Sequence, residues 1–303
     1  MGATATGKSE LAIYLAHRLG GEVVSMDSRQ VYRGMDIGTA KVLPDEREGI
    51  PHHLIDILDP SETNNAGEHA RRAFSAVEDI ESRGVAPILA GGTGLYFRAL
   101  FQGLVDVGAP AAALKKARDS LAASSTSELY SALEKHDPER AARLSPNDRQ
   151  RIIRALEVFV ATGKPLTHHF EEQGTAPVLE PFKIVLTMPR AALRDRITAR
   201  THMMFEAGWV DEVRRLMALG HTSRSPGLVT IGYKEISEAI ETRSDPMRVC
   251  DRVTTLTHQY AKRQETFFRK ERGAVWYNAL DPMMNENIIK RLSREPHFKN
   301  NLT

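Results

Sequence analysis

Gly2-Ala3-Thr4-Ala5-Thr6-Gly7-Lys8-Ser9 fits the pattern G-x-x-x-x-G-K-[ST] at every fixed position and predicts a phosphate cradle at the start of the chain. Gly2 and Gly7 let the backbone curl so that successive N–H groups converge on anionic oxygens. Lys8 adds a point charge, and the Ser9 hydroxyl can hold Mg²⁺ against those oxygens. Apolar residues at Leu11, Ala12, Leu15, Ala16 and Leu19 follow at helical spacing, so the loop opens a helix whose positive end faces the phosphate. Only Met1 precedes Gly2. The strand that such a loop normally leaves is therefore expected to be missing, with lower stability than in a longer relative.

Outward from the loop, Gly20-Gly21 breaks the helix, and residues 22–26 read as a short buried strand ending at Asp27. Ligands of open α/β sheets bind beyond the carboxyl ends of strands, so Asp27 is expected to face the same space as the loop. A second strand is expected over His53–Leu58 and a helix over 66–82, closed by Gly84. Val85–Ala90 then runs as a strand into Gly91-Gly92-Thr93-Gly94, a second glycine-rich turn on the same edge. A carboxylate beside a bound phosphate can hold Mg²⁺ or act as a general base, and the residues themselves leave both roles open.

From about Val105 to Pro110 the pattern changes to a linker, and 111–170 reads as helices alone. Ser145-Pro146-Asn147-Asp148 is expected to start a helix over 147–162 with Ile152, Ile153, Leu156 and Val160 inward. Phe182–Met188 restores a strand. Helices are expected near 191–205, 209–219 and 246–270, the last with Val249, Val253, Leu256, Tyr260 and Phe267 along one face. The fold expected is α/β, a P-loop NTPase-like parallel sheet core (1–110 and 181–280) carrying a helical insertion (111–180), with a peripheral tail at 281–303.

The 303 residues, 41% hydrophobic and 26% charged, have the composition of an ordinary globular chain. Lys+Arg of 41 against Asp+Glu of 39 leaves +2, so whole-chain charge does not announce a nucleic-acid partner and only local clustering can. The single Cys250 excludes an internal disulfide and a multi-cysteine zinc site. No membrane span or signal pattern is visible, and the expectation is a cytoplasmic monomer. His52, His53, His168 and His169 lack a third ligand at suitable spacing and are read as structural or surface residues.

Taken together, several segments resemble the tRNA dimethylallyltransferases, also called tRNA isopentenyltransferases. These are the loop 2–9, the run Asp27–Lys41, Pro51–Asp56, Gly91–Tyr96, Pro146-Asn147-Asp148, Arg151 with Arg154–Val158, Ile231–Glu235 and Ala261–Gln264, in the family's order over about 1–280. The resemblance implies transfer of a five-carbon group from dimethylallyl diphosphate to the exocyclic amine of the adenine directly 3′ of the anticodon, in tRNAs reading codons that begin with U. On that reading Gly2, Ala3, Thr4, Ala5, Thr6, Gly7, Lys8 and Ser9 bind diphosphate, Ser9 holds Mg²⁺, and Asp27 and Thr93 serve the reacting centre. The tRNA contacts it implies are Asp27, Ser28, Arg29, Gln30, Thr93, Gln150, Arg151, Ile152, Ile153, Arg154, Gly232, Tyr233, Lys234, Lys262, Arg263, Gln264 and Arg269. The insertion is expected to hold the anticodon stem. With no cysteine/histidine finger in the sequence, the bacterial branch is the nearer likeness. Asn64–His69 is more polar than the family's usual stretch. Alternatives are an adenylate isopentenyltransferase, a P-loop kinase and a non-catalytic RNA-binding switch. The first needs neither the inserted helices nor the basic stretch 262–272, the second shows no adenine-pocket or lid pattern, and the third requires Asp27 to be dispensable.

Overall fold

The structure, a computed structural model, describes residues 1–103, 107–173 and 179–295. Two compact units divide the chain, Met1–Phe101 with Leu179–Thr303, and Gln102–Val178. In the first, Gly7 turns into α1 (Lys8–Leu19), which buries Leu11, Leu15 and Leu19 and ends on left-handed Gly20. β1 (Gly21–Ser25), β2 (His52–His53), α2 (Ala66–Ser82), β3 (Ala86–Ala90) and α3 (Gly94–Gln102) follow. The three strands form a parallel sheet in the order β2-β1-β3.

The strand expected over 53–58 stops after His53. Leu54 (φ 63°) and Asp56 (φ 56°) occupy the left-handed region, which no strand accommodates, and Leu58 makes a single parallel bridge to Tyr32. The polar stretch before α2 has local work to do. Asn65 caps the helix by accepting the Glu68 N–H at 3.0 Å, and fully buried His69 donates from Nε2 to the Ser25 carbonyl at 2.9 Å while its ring lies 4.5 Å from that of Tyr96.

The second unit holds α4 (Ala111–Leu121), α5 (Thr126–His136), α6 (Pro138–Ala142), α7 (Arg149–Thr162) and α8 (Leu166–Gln173) around Leu129, Leu133, Ile152 and Leu156. Of the expected linker, Val105 and Asp106 lie outside the described residues. α7 starts two residues later than expected because Asp148, whose side chain accepts the Arg151 N–H, is the cap. Val160 is 54% exposed rather than inward, and the helix instead buries Glu157, which receives Arg118 at 2.6 Å and Arg154 at 2.5 Å. Burial alone would raise the Glu157 carboxyl, but these guanidinium bonds outweigh it and hold the carboxyl below its ordinary range.

The chain returns to the first unit with β4 (Ile184–Thr187), α9 (Arg190–Glu206), α10 (Trp209–Ala218), α11 (Tyr233–Glu241), α12 (Cys250–Phe268), β5 (Val275–Asn278) and α13 (Met284–Leu292). β4 and β5 pair in parallel. Of a strand before the phosphate loop, Gly2 makes one parallel bridge to Leu186, and the Leu186 N–H reaches the Met1 carbonyl at 2.9 Å. Ahead of α12, Pro246–Val249 is a 3₁₀ turn rather than α-helix. The buried stripe of α12 runs through Val253, Ala261, Gln264 and Phe268, one position round from the face expected, with Tyr260 and Phe267 half-buried at its margin.

The expectation of a peripheral tail from 281 is corrected by α13. Its Ile288 and Leu292, four residues apart, join Leu11, Leu15 and Leu19 of α1 in one apolar cluster. Neither β5 nor α13 was expected from the sequence. Among the described residues no helix is long and apolar enough to cross a membrane.

Candidate active site

Parallel pairing of Ser25 with Ala90 delivers two turns side by side at the carboxyl edge of the sheet. The Met26 N–H donates to the Ala90 carbonyl at 2.7 Å, and a Cβ on Gly91 would lie 2.2 Å from the Met26 carbonyl oxygen, so that turn must be glycine to approach so closely. Asp27 and Thr93 therefore lie beyond the ends of adjacent strands, and of the two Asp27 lines the cleft shared with the phosphate loop. Asp27 Oδ1 accepts the Arg29 and Gln30 N–H groups at 2.7 and 3.3 Å, which closes a turn and leaves Oδ2 outside it. Thr93 Oγ1 accepts the Ser28 N–H at 3.2 Å and faces the hydroxyl of Tyr260, a phenol that burial pushes up to about 12. Gln30 Nε2 fixes the same turn by donating to the Ala40 carbonyl at 3.1 Å.

The phosphate loop stands opposite. Ala5 has φ 65° and Gly7 φ 83°, and α1 has no side-chain cap, so its first-turn amides remain for an anion. Thr6 Oγ1 and Lys8 Nζ donate to the Ala3 carbonyl at 2.8 and 2.6 Å, which curls the loop upon itself. Burial first, and neighbouring Arg200 second, push the Lys8 ammonium down from 10.5 to about 8, against the pull of Asp27. Lys8, Ser9, Asp27 and Arg200 line one cleft of about 590 Å³, whose apolar wall includes Ile13, Val42, Ile55 and Met203.

Arg200 is the residue that sequence reading missed. It reaches in from α9 to donate to Thr4 Oγ1, and burial lowers its guanidinium from the ordinary range while Asp27 supports it. The signal available was the spacing of Arg196, Arg200 and Met203, all lining the cleft from one face of a helix whose overall composition is polar.

Four of the residues read as tRNA contacts are packed inside the protein. Ile152 is fully buried in the second unit. Tyr233 is fully buried and donates its hydroxyl to Glu212, itself buried, and Gly232 is held to glycine by the Trp209 ring, from which a Cβ would lie 2.0 Å. Gln264 is 7% exposed, with both ends of its amide bonded inside the protein. Ile153 packs partly buried against the core of the second unit. Gln150, Arg151 and Arg154 are exposed on α7, Lys234 is half exposed beside Glu238, and Lys262, Arg263 and Arg269 are exposed on and just after α12. Ser28, Arg29 and Gln30 lie half-buried at the Asp27 turn.

Among the described residues no group of three or more His, Cys, Asp or Glu side chains is placed to hold a metal. His52 bonds the Ile50 carbonyl, His53 bonds Glu22, His168 meets Glu172 and His169 meets Thr162.

The family model described as "IPP transferase" matches residues 30–271. A tRNA dimethylallyltransferase of Halorhodospira halophila is 48% identical over 93% of this chain and 92% of its own length. One of Thermotoga neapolitana is 41% identical over 99% and 97%. Among solved structures, the full-length tRNA isopentenylpyrophosphate transferase of Bacillus halodurans is 37% identical with a TM-score of 0.69, covering 96% of this chain and 92% of that one. A eukaryotic dimethylallyltransferase described as acting on tRNA is 31% identical with a TM-score of 0.85, covering 99% of this chain and 78% of that one.

Proposed function

We propose that this chain, which belongs to the IPP transferase family, moves a dimethylallyl group from its diphosphate to the exocyclic N6 amine of the adenine directly 3′ of the anticodon of tRNA, in tRNAs reading codons that begin with U. The observation that supports this best is one cleft lined by a phosphate loop, the cations Lys8 and Arg200, and the carboxylate Asp27. The adenine N6 lone pair bonds to C1 of the dimethylallyl group as the C1–O bond breaks, and the electron pair leaves on diphosphate. Loop amides, Lys8 and Arg200 take up the charge developing on the leaving oxygens. An exocyclic adenine amine is a weak nucleophile because its lone pair is delocalised. Asp27 accepts its proton as the new bond forms. The apolar wall suits the hydrocarbon of the donor.

Ser9 supplies a hydroxyl to the same cleft, a hard oxygen donor that would suit Mg²⁺ beside bound diphosphate. There the ion would neutralise diphosphate charge. Arg151, Arg154, Lys234, Lys262, Arg263 and Arg269 are the cations we assign to tRNA phosphates, with Gln150 and Ser28–Gln30 as further polar contacts; phosphate contacts position the stem and base contacts specify it.

The test is transfer of label from radiolabelled dimethylallyl diphosphate with Mg²⁺ to unmodified tRNA, to AMP, or to no acceptor. Label on tRNA alone is expected. Label on AMP would assign a free-nucleotide acceptor, and no label would overturn the reaction.

Lys8 gives a pH signature. Below about pH 8 its ammonium is already charged in the empty cleft, whereas above that pH anion binding must take up a proton. Pyrophosphate affinity therefore falls by up to about tenfold per pH unit on the alkaline side. Lys8→Arg stays cationic throughout, so the wild-type to variant ratio of Kd isolates Lys8 from the titration of pyrophosphate itself. The ratio should climb from roughly pH 8 upward; a flat ratio contradicts the assignment.

Arg151→Ala should weaken tRNA binding and reduce its salt slope by about 1, with little change in melting temperature, because its side chain is 69% exposed and its partner Asp148 lies 3.4 Å away. Arg154→Ala should lower melting temperature as well, since it removes one of the two cations on buried Glu157. An unchanged slope in the Arg151 variant returns that residue to a merely solvated face.

A further inference from the structure

We propose that Gln264 is a positioning residue that holds the diphosphate cradle and the Thr93 turn in register; the proposal rests on the reading of the cleft given above. Its neighbours Lys262 and Arg263 are exposed, but the Gln264 side chain runs inward from α12. Its Oε1 accepts the Thr4 N–H at 2.9 Å, and its Nε2 donates to the Gly92 carbonyl at 2.8 Å. Thr4 belongs to the phosphate loop and Gly92 to the turn that presents Thr93, so one amide spans the leaving-group side and the acceptor side.

The chemistry of the two partners fixes the residue type. An N–H needs an acceptor and a carbonyl needs a donor, and a primary amide offers one of each in a single plane. Leucine fills the space with neither. Glutamate keeps the acceptor but, when ionised, sets a carboxylate oxygen against the Gly92 carbonyl. The approach is also close enough to dictate its neighbour, since a Cβ on Gly92 would lie 2.4 Å from Nε2.

The loop needs such a tie. Its bonds from Thr6 and Lys8 to the Ala3 carbonyl are internal to the loop, Ala5 is held at φ 65°, the backbone ahead of it is tied to β4 only through Met1 and Gly2, and Arg200 holds the Thr4 side chain without reaching the Thr93 turn. Removing the bracket frees the loop to shift relative to Thr93, and displacements of about 1 Å between reacting groups are enough to cost turnover heavily.

The experiment measures pyrophosphate Kd, tRNA Kd and kcat for the wild type, Gln264→Leu and Gln264→Glu. The bracket predicts that Gln264→Leu weakens pyrophosphate at least about tenfold and lowers kcat about a hundredfold, with tRNA Kd unchanged, as expected for two buried bonds left unmade. It predicts that Gln264→Glu recovers toward wild type as pH falls, because the protonated carboxyl regains a donor for Gly92. That pH-dependent rescue keeps the proposal testable if the leucine variant fails to fold. Unchanged pyrophosphate affinity and kcat, or a loss confined to tRNA Kd, would overturn it. Wild-type protein that binds no pyrophosphate would overturn the underlying reading together with the proposal.

Discussion

Asp27→Asn should lower kcat by about 10³-fold while pyrophosphate binds as tightly as before or more tightly. The asparagine carbonyl oxygen can still accept the Arg29 and Gln30 N–H groups that Oδ1 holds at 2.7 and 3.3 Å, so the turn survives and only charge and basicity are lost. The sign on pyrophosphate follows from the neighbours. Asp27 supports the charge on both Lys8 and Arg200, and it does so as a negative group competing with an anion for them. Deleting its charge leaves those cations to the ligand. A general base thus predicts opposite movements, with turnover collapsing and anion affinity holding or rising. If Asp27 acts chiefly by holding Mg²⁺, pyrophosphate affinity in the presence of the ion falls with kcat. Full turnover in the variant would remove Asp27 from the chemistry.

Asp27 itself was legible because a carboxylate at the end of a short apolar strand has one place to go in an open α/β sheet. The same reasoning placed the second glycine turn beside it, since β1 and β3 pair in parallel and each runs into a turn, whereas Thr93 within that turn was singled out only by the family resemblance. Such reasoning failed where a side chain is recruited across the sequence. Arg200 looks like any arginine on a polar helix, and its donation to Thr4 links positions 196 residues apart. Gln264 sits in a basic run whose exposed members set its apparent character, and the buried stripe of α12 includes it only because that helix is rotated one position from its most apolar face. Polar burial of this kind is invisible to hydrophobic periodicity. The tail failed for the converse reason: the two apolar residues Ile288 and Leu292 suffice to seat α13 against α1 although the stretch around them is polar. Leu54 and Asp56 defeated the strand reading through backbone conformation, which apolar alternation does not report.

Glu212→Ala should cost about 4 kcal/mol of stability and lower the melting temperature by roughly 10 °C. No sequence pattern singles this residue out on α10, yet it is buried and organises the loop between β1 and β2. Its carboxyl oxygens accept the backbone N–H groups of Asp36 at 2.9 Å, Ile37 at 2.8 Å and Gly38 at 3.4 Å, and the Tyr233 hydroxyl as well. The Trp209 ring packs over the same loop, where a Cβ on Gly38 would lie 2.1 Å away. Alanine would leave the Asp36 and Ile37 amides and the Tyr233 phenol without their acceptor, while the Gly38 N–H keeps the Tyr233 oxygen at 3.1 Å, and burying unpaired donors costs more than a hydrogen bond contributes. Because the loop continues into Thr39 and Ala40, whose carbonyls receive the Gln30 amide, loosening it also frees the turn that carries Asp27. Turnover should therefore fall further than the loss of folded protein accounts for. Glu212→Gln keeps one acceptor oxygen and should recover part of both losses. Thermal unfolding of the two variants beside kcat normalised to folded protein checks this. An alanine variant that melts with the wild type would mean that water replaces the carboxylate and that the loop holds its shape unaided.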